Sequence, residues 1–340
     1  MGFESFSVPE EEKVPEKKKL SPLAVVPFIF GRNLLALSVL TACNSTETER
    51  EVIEVPFSYE CDTPDVRAEY KIHPEAEEQI VPVYIHLVVP NEEYLKSTWG
   101  ENYEREVDDL VSKINWTFSG YYPFSDTQFG PDSKLRIEQA ESIDLLYSEE
   151  FAYLFSESET KDQVREIAGE MVAGNNMNDY LNIYILPDQN SVTDSRDFAW
   201  LPGTSERPAV VSSTTTSSTI AHEIGHALGL FHTFEDVFGS ELEHPEQCYE
   251  YGDLLCDTYP DPGTDFCTID QDYYSGDVLS VSCIAPYEEY AETLPYENIM
   301  SYWGEDYSGF RHFTPEQAER MHCMLDRHDD LIYDFQVDEK

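Results

Sequence analysis

The sequence predicts an α/β (α+β) fold in which a mixed, twisted sheet covered by helices precedes an irregular, disulfide-stapled part and a C-terminal helix. Three observations lead to this expectation. Apolar runs of strand and helix type alternate between residues 81 and 232, an order typical of a sheet covered by helices. Residues 239–307 are rich in Asp, Glu, Pro, Gly, Tyr and Cys and show little periodicity. Helical periodicity returns after Thr314.

Four segments have the β-branched or alternating composition of strands. They are residues 81–89, 134–138, 180–186 and 208–211. We expect the last one at the edge of the sheet, because Pro208 cannot donate a hydrogen bond to a neighbouring strand.

Segments with apolar residues at helical spacing are predicted to be helices. They are residues 104–119, residues 160–172 and a stretch from about 217 to 229. The last helix is predicted to begin after Thr314, which has the character of an N-cap, with Pro315 at the first helical position and Gln317 at the third.

The charge of the chain is strongly negative. Lys and Arg total 21 and Asp and Glu total 68, which gives a formal net charge of −47. Such a surface argues against a nucleic-acid partner, because it repels phosphate. It is typical of a protein in saline surroundings, where salt screens the repulsion, or of an acidic secreted protein.

The cysteine pattern indicates disulfides rather than a thiolate metal site. Four of the seven cysteines lie within Cys248–Cys283, and none belongs to a Cys-x-x-Cys pair. In an exported protein such a density predicts disulfides. Without Cys43, six cysteines remain, which allows up to three bridges.

The N-terminal residues have the features of an export signal. A basic stretch at 13–19 precedes an apolar run at 34–40 that is too short to span a bilayer. This run ends in Leu-Thr-Ala-Cys43, which resembles the bacterial lipobox, whose cysteine is lipidated and becomes the new N-terminus. A plain secretory signal and an uncleaved signal anchor are the alternatives.

These features predict three parts of the chain. Residues 1–42 are a lipoprotein signal peptide, residues 43–80 a lipidated tether and N-terminal segment, and residues 81–335 the catalytic domain. We expect an upper part at about 81–232 and a lower part at about 233–335. The predicted location is the cell envelope, through a lipid anchor at Cys43, or the exterior of the cell.

Residues 222–232 read His-Glu-Ile-Gly-His-Ala-Leu-Gly-Leu-Phe-His. Residues i and i+4 of a helix share one face, so His222 and His226 can bind one ion. A turn after the helix returns the chain so that His232 supplies a third nitrogen. Three histidines leave the fourth tetrahedral position of zinc open, which is typical of catalytic sites.

Glu223 lies beside the first ligand and is the predicted catalytic base. Bound zinc lowers the pKa of water from about 15.7 to about 7, and a carboxylate can take the proton and pass it to a departing amine. The alternative is that the histidines only pack, but three of them in this register together with a glutamate favour zinc.

The motif resembles the metzincin signature His-Glu-x-x-His-x-x-Gly-x-x-His. Metzincins also have a methionine-containing turn beneath the zinc, and Asn298–Tyr302 fits that place. The resemblance implies that Met300 forms an apolar floor under the ligands. It also implies that Tyr302 helps to stabilise the oxyanion of the reaction.

A closer resemblance is to the pappalysins, peptidase family M43, over about residues 81–325. Thr233 and Phe234 follow the last histidine, and residues 252–260 resemble the family's Gly-Asp…Asp-Thr-Pro segment, with Tyr259 inserted before the proline. Residues 313–321 resemble its C-terminal helix entry. The cysteine that often follows the methionine turn in this family is missing here, where Asp306–Gly309 stands.

The pappalysin resemblance implies a zinc endopeptidase with candidate calcium ligands at Asp253, Asp257 and Thr258, since calcium prefers hard oxygen ligands. It also makes Glu305 the candidate that selects a basic residue after the scissile bond. The alternative for these acids is a solvated loop.

Cys61 has two interpretations. Some relatives hold a cysteine of the propeptide against zinc to keep the enzyme latent, and a Cys61 thiolate would act in this way. Export favours a disulfide instead, for which Cys323 is the candidate partner.

The predicted function is therefore a zinc-dependent endopeptidase at the cell surface that acts on proteins or peptides. Two alternatives remain: a non-catalytic zinc-binding surface protein, and a zinc hydrolase with a non-peptide substrate. Intact Glu223 and Tyr302 argue against the first, and the metzincin pattern argues against the second.

Overall fold

The structure is a computed structural model. It describes residues 40–42, 60–121, 128–154, 161–187, 197–202, 209–212, 216–236, 238–264, 266–271, 278–303 and 311–327. The chain divides into Met1–Leu35 and Ala36–Lys340, and all described residues belong to the second unit. Most of the predicted signal peptide, Cys43 and Glu305 lie outside the described residues.

The structure contains a seven-stranded sheet, which is mixed, as predicted. Its strands are β1 (Leu40–Ala42), β2 (Gln79–Val89), β3 (Leu135–Gln139), β4 (Asp144–Tyr147), β5 (Leu181–Ile185), β6 (Phe198–Trp200) and β7 (Ala209–Ser212). The order is β1-β6-β7-β5-β2-β3, and β4 also pairs with β2. Strands β3, β4 and β5 run parallel to β2, and β7 runs parallel to β5, whereas β6 is antiparallel to β7 and β1 to β6.

The helices confirm the periodicity of the sequence. They are α1 (Pro64–Arg67), α2 (Glu92–Thr98), α3 (Tyr103–Ser119), α4 (Glu149–Ala152), α5 (Lys161–Asn175), α6 (Ser217–Ala227) and α7 (Pro315–Arg327). Helices α3, α5, α6 and α7 lie where the sequence predicted helices, within about three residues at each end. Short 3-10 turns occur at Glu60–Asp62, Ala68–Tyr70 and Glu288–Glu292.

Both faces of the sheet are covered. On one face, Leu87 of β2 packs in a core cluster with Ile114 of α3 and Ile224 of α6. The next residue, Val88, points to the opposite face, where it belongs to a second cluster with Met171 of α5. Burial on both faces explains why β2 is a nearly continuous apolar run rather than an alternating one.

The prediction that residues 208–211 form an edge strand was wrong in its position. Strand β7 lies between β5 and β6 inside the sheet, and both Val210 and Val211 are fully buried. Pro208 lies outside the described residues, so the strand itself contains no proline. The neighbour that makes it internal, β6, has only three residues and therefore gives no periodic signal in the sequence.

The start of α7 has the predicted capping geometry. The Thr314 hydroxyl accepts a hydrogen bond from the Gln317 amide at 3.3 Å, and the Gln317 side-chain oxygen accepts one from the Thr314 amide at 2.9 Å. This reciprocal pair satisfies two backbone donors that a helix start leaves open.

The lower part is irregular and stapled by disulfides, as expected. Cys248 is bonded to Cys256, and Cys267 to Cys283. The second bridge joins strands β8 (Cys267–Gln271) and β9 (Val278–Cys283), a small antiparallel hairpin that the sequence did not predict.

Cys61 forms a disulfide with Cys323. This confirms the predicted pairing and overturns the latency alternative, because a bonded sulfur cannot act as a thiolate ligand. All six cysteines other than Cys43 are therefore paired.

No helix within the described ranges combines the length and the apolar character that crossing a membrane requires.

We expect the Cys61–Cys323 bridge to contribute more to stability than the Cys248–Cys256 bridge. The cysteines are 262 residues apart in the Cys61–Cys323 bridge and 8 apart in the Cys248–Cys256 bridge. A disulfide that closes a longer loop removes more conformational entropy from the unfolded chain. Replacing Cys61 and Cys323 by serine should lower the free energy of unfolding by about 2–5 kcal/mol. The measurement is chemical denaturation of both double variants. A larger loss from the Cys248/Cys256 variant would contradict the expectation.

Candidate metal centre

Helix α6 presents two of the predicted ligands on one face. His222 and His226 lie one turn apart, and their ring centroids are 4.6 Å apart. Every residue of the helix from Ile220 to Ala227 is buried, so both rings lie in the interior.

A glycine turn brings the third histidine back to this face. Gly229 has a φ of +87°, a left-handed conformation that favours glycine. Its amide donates to the His226 carbonyl at 2.8 Å, and the Leu230 amide donates to the Gly225 carbonyl at 2.9 Å. A side chain at Gly229 would also come within 2.8 Å of Met324, so both backbone and space require glycine.

The three imidazoles converge through their Nε2 atoms. The Nε2 atom of His226 is 3.0 Å from those of His222 and His232, and the latter two are 3.3 Å apart. Within the described ranges, no other set of three His, Cys, Asp or Glu ligand atoms converges in this way.

The opposite ring atoms fix the tautomers of two rings. The Nδ1 atom of His222 donates to the Ile299 carbonyl at 2.7 Å, and that of His226 donates to the Leu230 carbonyl at 2.8 Å. Because a carbonyl only accepts, each Nδ1 carries the proton and each Nε2 carries a lone pair.

Burial keeps the three rings neutral. It lowers the pKa of His226 to about 4 and lowers those of His222 and His232 well below the usual value of 6.5. Neighbouring histidines lower the pKa values of His222 and His232 further. Neutral imidazole is the form that binds metal.

The residues fit a zinc ion. With Zn–N distances of about 2.0–2.1 Å, ligand nitrogens of a tetrahedral site lie roughly 3.3 Å apart. The observed separations of 3.0–3.3 Å approach this value. Three lone pairs at such distances repel one another, and a cation among them turns this repulsion into attraction.

Glu223 shares helix α6 with the first two ligands. Its side chain is fully buried, as are Ala221 and Ile224 beside it. A carboxylate here belongs to the same dry interior as the histidines.

Met300 lies beneath α6, where the sequence placed the methionine turn. A side chain at Gly225 would come within 2.6 Å of the Met300 sulfur, so only glycine lets the helix approach this closely. The Thr233 amide donates to the Met300 carbonyl at 3.2 Å, which joins the turn to the residue after His232.

Tyr302 is brought to the edge of the histidine cluster. Its ring centroid is 6.0 Å from that of His222 and 4.8 Å from that of His232. Phe234 stacks on His232 at 4.6 Å and also contacts Tyr302 at 4.5 Å, so three aromatic rings hold one another in place.

The candidate calcium ligands separate into two environments. The Asp253 carboxylate accepts hydrogen bonds from Thr258 at 3.0 Å and from the Leu255 amide at 3.1 Å. Asp257 instead accepts from the Thr314 hydroxyl and the Glu316 amide at the start of α7. The structure therefore brings Asp253 and Thr258 together. Both carboxylate oxygens of Asp257 accept hydrogen bonds at the start of α7 instead.

Glu241 is an acid that the sequence analysis missed. Its Oε2 and the Oδ2 of Asp253 are buried and have no hydrogen-bond partner among the described residues. Burial raises the pKa of Glu241 to about 8, helped by Asp253 and Asp261, and burial raises the pKa of Asp253 to about 7. Glu241 lies in an aperiodic acidic stretch, where nothing in the sequence distinguishes it from solvated acids.

The chain is similar to known metallopeptidases. Residues 168–326 match the Peptidase_M43 family model, described as pregnancy-associated plasma protein-A. Pappalysin-1 of Mus musculus is 38% identical over 122 residues, which cover 34% of this chain and 6% of that protein. Pappalysin-1 of Homo sapiens is 37% identical over 122 residues, with the same coverage. The chain thus matches only a small part of the length of these relatives.

Two solved structures align with most of this chain at low identity. Mature mirolysin of Tannerella forsythia, in complex with a cleaved peptide, is 18% identical with a TM-score of 0.45, over 73% of this chain and 92% of that chain. A promirolysin mutant of the same organism is 15% identical with a TM-score of 0.48, over 78% and 87% of the two chains.

Proposed function

We propose that this protein is a zinc-dependent endopeptidase of the M43 (pappalysin) type with Glu223 as its general base, since residues 168–326 match the model of that family. The observation that carries the proposal is the convergence of three neutral imidazole Nε2 atoms on the helix and turn next to Glu223. Three protein nitrogens leave one position for water or substrate, which distinguishes a catalytic zinc site from a structural one.

His222, His226 and His232 would hold the zinc, which supplies acidification of a water molecule and polarisation of the substrate carbonyl. The carbonyls of Ile299 and Leu230 orient the first two rings, so their lone pairs are directed before the ion arrives. Little reorganisation is then needed when the site is filled.

Glu223 moves the proton. Its carboxylate accepts a proton from the attacking water and then gives it to the nitrogen of the departing amine, which prevents that amine from leaving as an anion. The peptide bond breaks, and water supplies the hydroxyl of one product and the proton of the other.

Tyr302 stabilises the charge that develops on the carbonyl oxygen. Its ring lies against His232 and Phe234, and a phenol O–H donates a hydrogen bond to an oxyanion. Glu305 remains the candidate for selecting a basic residue after the cut, and a carboxylate suits this role because it pairs with Lys or Arg.

A structural cation in the lower part completes the proposal. Glu241 and Asp253 each bury a carboxylate oxygen without a protein partner, and Thr258 lies beside Asp253. Calcium takes such hard oxygen ligands. Asp257 is less suited to this site than the sequence indicated, because its oxygens accept hydrogen bonds from Thr314 and Glu316.

The cell-surface location rests on the segment that ends at Cys43. We propose that Cys43 carries a lipid and that residues 1–42 are removed. Removal would take away strand β1 (Leu40–Ala42) and leave β6 as the edge strand of the sheet.

The Glu223→Gln variant should bind zinc but lose peptidase activity. Glutamine keeps the shape of glutamate but cannot accept the proton, and a general base contributes about 10²–10⁴ in rate. The measurement is cleavage of a peptide library by the full chain in high salt, with zinc content determined in parallel. His226→Ala, which removes a ligand, is the control that should lose both zinc and activity.

Equal cleavage by Glu223→Gln and the wild type would refute this role for Glu223. Stoichiometric zinc without cleavage of any peptide would favour a binding protein or a hydrolase with another substrate. A basic preference after the cut that disappears in Glu305→Gln would support the selectivity role.

Calcium should stabilise the protein at high pH and much less at low pH. Unfolded, Glu241 and Asp253 ionise near their usual values of 4.5 and 3.8, but in the folded protein they keep protons up to about 8 and about 7. The folded state binds more protons in this window, so without a cation its stability falls as pH rises from about 4 to about 8. The loss is on the order of a few kcal/mol.

Thermal unfolding at pH 5 and at pH 8.5, with calcium and with a chelator, measures this effect. We expect calcium to raise the Tm by roughly 5 °C or more at pH 8.5. Glu241→Gln should remove most of that increase, whereas Asp132→Asn should not. The same pH dependence with and without calcium would exclude the site.

The Cys43→Ser variant should not incorporate lipid, because a hydroxyl does not replace the thiol in thioether formation. Growth of a bacterial host with radiolabelled palmitate, followed by detergent partition, measures the modification. An unlabelled wild-type protein in the aqueous phase would contradict the anchor and favour a plain secretory signal.

A further inference from the structure

A buried carboxylate outside the predicted site joins the two segments that carry site residues. Asp261 is 5% exposed. Its Oδ2 accepts hydrogen bonds from the Thr233 hydroxyl at 2.6 Å and the Ser301 hydroxyl at 2.8 Å. Its Oδ1 accepts from the Trp303 indole N–H and the Gly263 amide, both at 2.9 Å.

Three of these four donors lie directly beside residues of the proposed active site. Thr233 follows the ligand His232 in the chain. Ser301 precedes Tyr302, and Trp303 follows it. One carboxylate group therefore holds the segment after the third histidine and both neighbours of the tyrosine.

Asp261 is not the sole link between these two segments. The Thr233 amide also donates to the Met300 carbonyl at 3.2 Å, and the Tyr302 ring contacts His232 and Phe234. Because side chains of one or two carbons carry the donors, a change at Asp261 alters the backbone at residues 233 and 301 directly.

We infer that Asp261 is a positioning residue that sets the placement of Tyr302 relative to His232, and so the distance from the phenol to the metal. The inference rests on the proposed peptidase function. Asp261 need not touch the substrate, because its contacts are with Thr233, Ser301, Trp303 and Gly263.

A carboxylate can accept hydrogen bonds from all four of these donors. It has about four acceptor positions and no donor, and here every donor approaches it at 2.6–2.9 Å. Asparagine retains part of this capacity: its amide oxygen can accept from the indole and the Gly263 amide, but its amide nitrogen cannot accept from the two hydroxyls and bonds to them only after they rotate. Leucine has similar size and accepts nothing.

The inference predicts graded effects on kcat in the zinc-loaded full chain. Asp261→Leu should lower kcat about 100-fold and Asp261→Asn about tenfold, with KM for a peptide changed less than about threefold, since the placement of a charge-stabilising donor acts on the transition state. Asp132→Asn is the matched control, because Asp132 also accepts hydrogen bonds, from the Lys134 amide and Arg136, and should leave kcat unchanged.

Variants that each remove one hydrogen bond to Asp261 distinguish its effect on Tyr302 from its effect on His232. They also disturb the structure less than replacement of Asp261 itself. Ser301→Ala should lower kcat several-fold in the wild-type background but hardly at all in Tyr302→Phe, because the phenol through which it acts is then gone. Thr233→Val should instead change the visible absorption spectrum of the cobalt(II)-substituted protein, which reports the ligand geometry at His232, whereas Ser301→Ala should leave that spectrum unchanged.

These measurements distinguish failure of the positioning role of Asp261 from failure of the proposed peptidase function. If the wild type cleaves peptides and both Asp261 variants match its kcat and its cobalt spectrum, the inference is overturned. Losses that equal the fraction of unfolded or metal-free protein, or that persist in full in Tyr302→Phe, overturn it as well. If the wild type cleaves nothing, the proposed function fails, and an altered cobalt spectrum in Thr233→Val and Asp261→Leu still supports the link to His232.

Discussion

The site depends on holding three imidazole lone pairs 3.0–3.3 Å apart in the protein interior. Without an ion this arrangement is repulsive, and burial removes the water that could relieve it. The protein maintains it through hydrogen bonds from the Nδ1 atoms of His222 and His226 to the carbonyls of Ile299 and Leu230. Neither carbonyl belongs to helix α6, so the direction of the lone pairs depends on the chain that returns after Gly229 and on the methionine turn.

The site also requires that neighbouring segments pack closely against helix α6 and the turn that follows it. Gly225 lets the Met300 sulfur lie against the helix, and Gly229 lets the chain reverse beside Met324. A side chain at Gly225 would displace the Met300 side chain, and one at Gly229 would displace that of Met324. The two glycines of the motif thus have different tasks: one provides space below the helix, and the other provides a left-handed turn at its end.

The local part of the site could be predicted from the sequence, and the non-local part could not. The spacing of His222 and His226 and the capping of α7 by Thr314 and Gln317 depend on residues three or four apart, and a helix fixes their relation. Asp261 acts on Thr233 and Ser301, which are 28 and 40 residues away. Nothing in the local pattern marks such an acid among the 68 acids of the chain. Strand β6 was missed for a similar reason, because three residues show no period.

The buried acids show that this protein has two ways to keep carboxylates in its interior. Asp261 is supplied with four protein donors, two on each carboxylate oxygen. Glu241 and Asp253 each retain an oxygen without a partner among the described residues, and burial raises the pKa values of both. The hydrogen bonds to Asp261 link separate segments, whereas the raised pKa values of Glu241 and Asp253 make the stability of the lower part depend on pH. An irregular lobe with little regular secondary structure needs such links, because it lacks the hydrogen-bond ladders of the sheet.

The segment before the first long strand is joined to the metal centre through one buried arginine. Arg320 is fully buried, donates to the Gly229 carbonyl at 2.8 Å and pairs with Asp62 at 2.6 Å. Asp62 adjoins Cys61, and the disulfide of Cys61 ends on the same helix, three residues after Arg320. A buried charge that loses its partner costs about 3–5 kcal/mol, so the turn between the second and third histidines and this N-terminal segment stabilise each other. Residues 60–70, which lie in the predicted lipidated tether and N-terminal segment, are therefore joined to the turn after the second histidine.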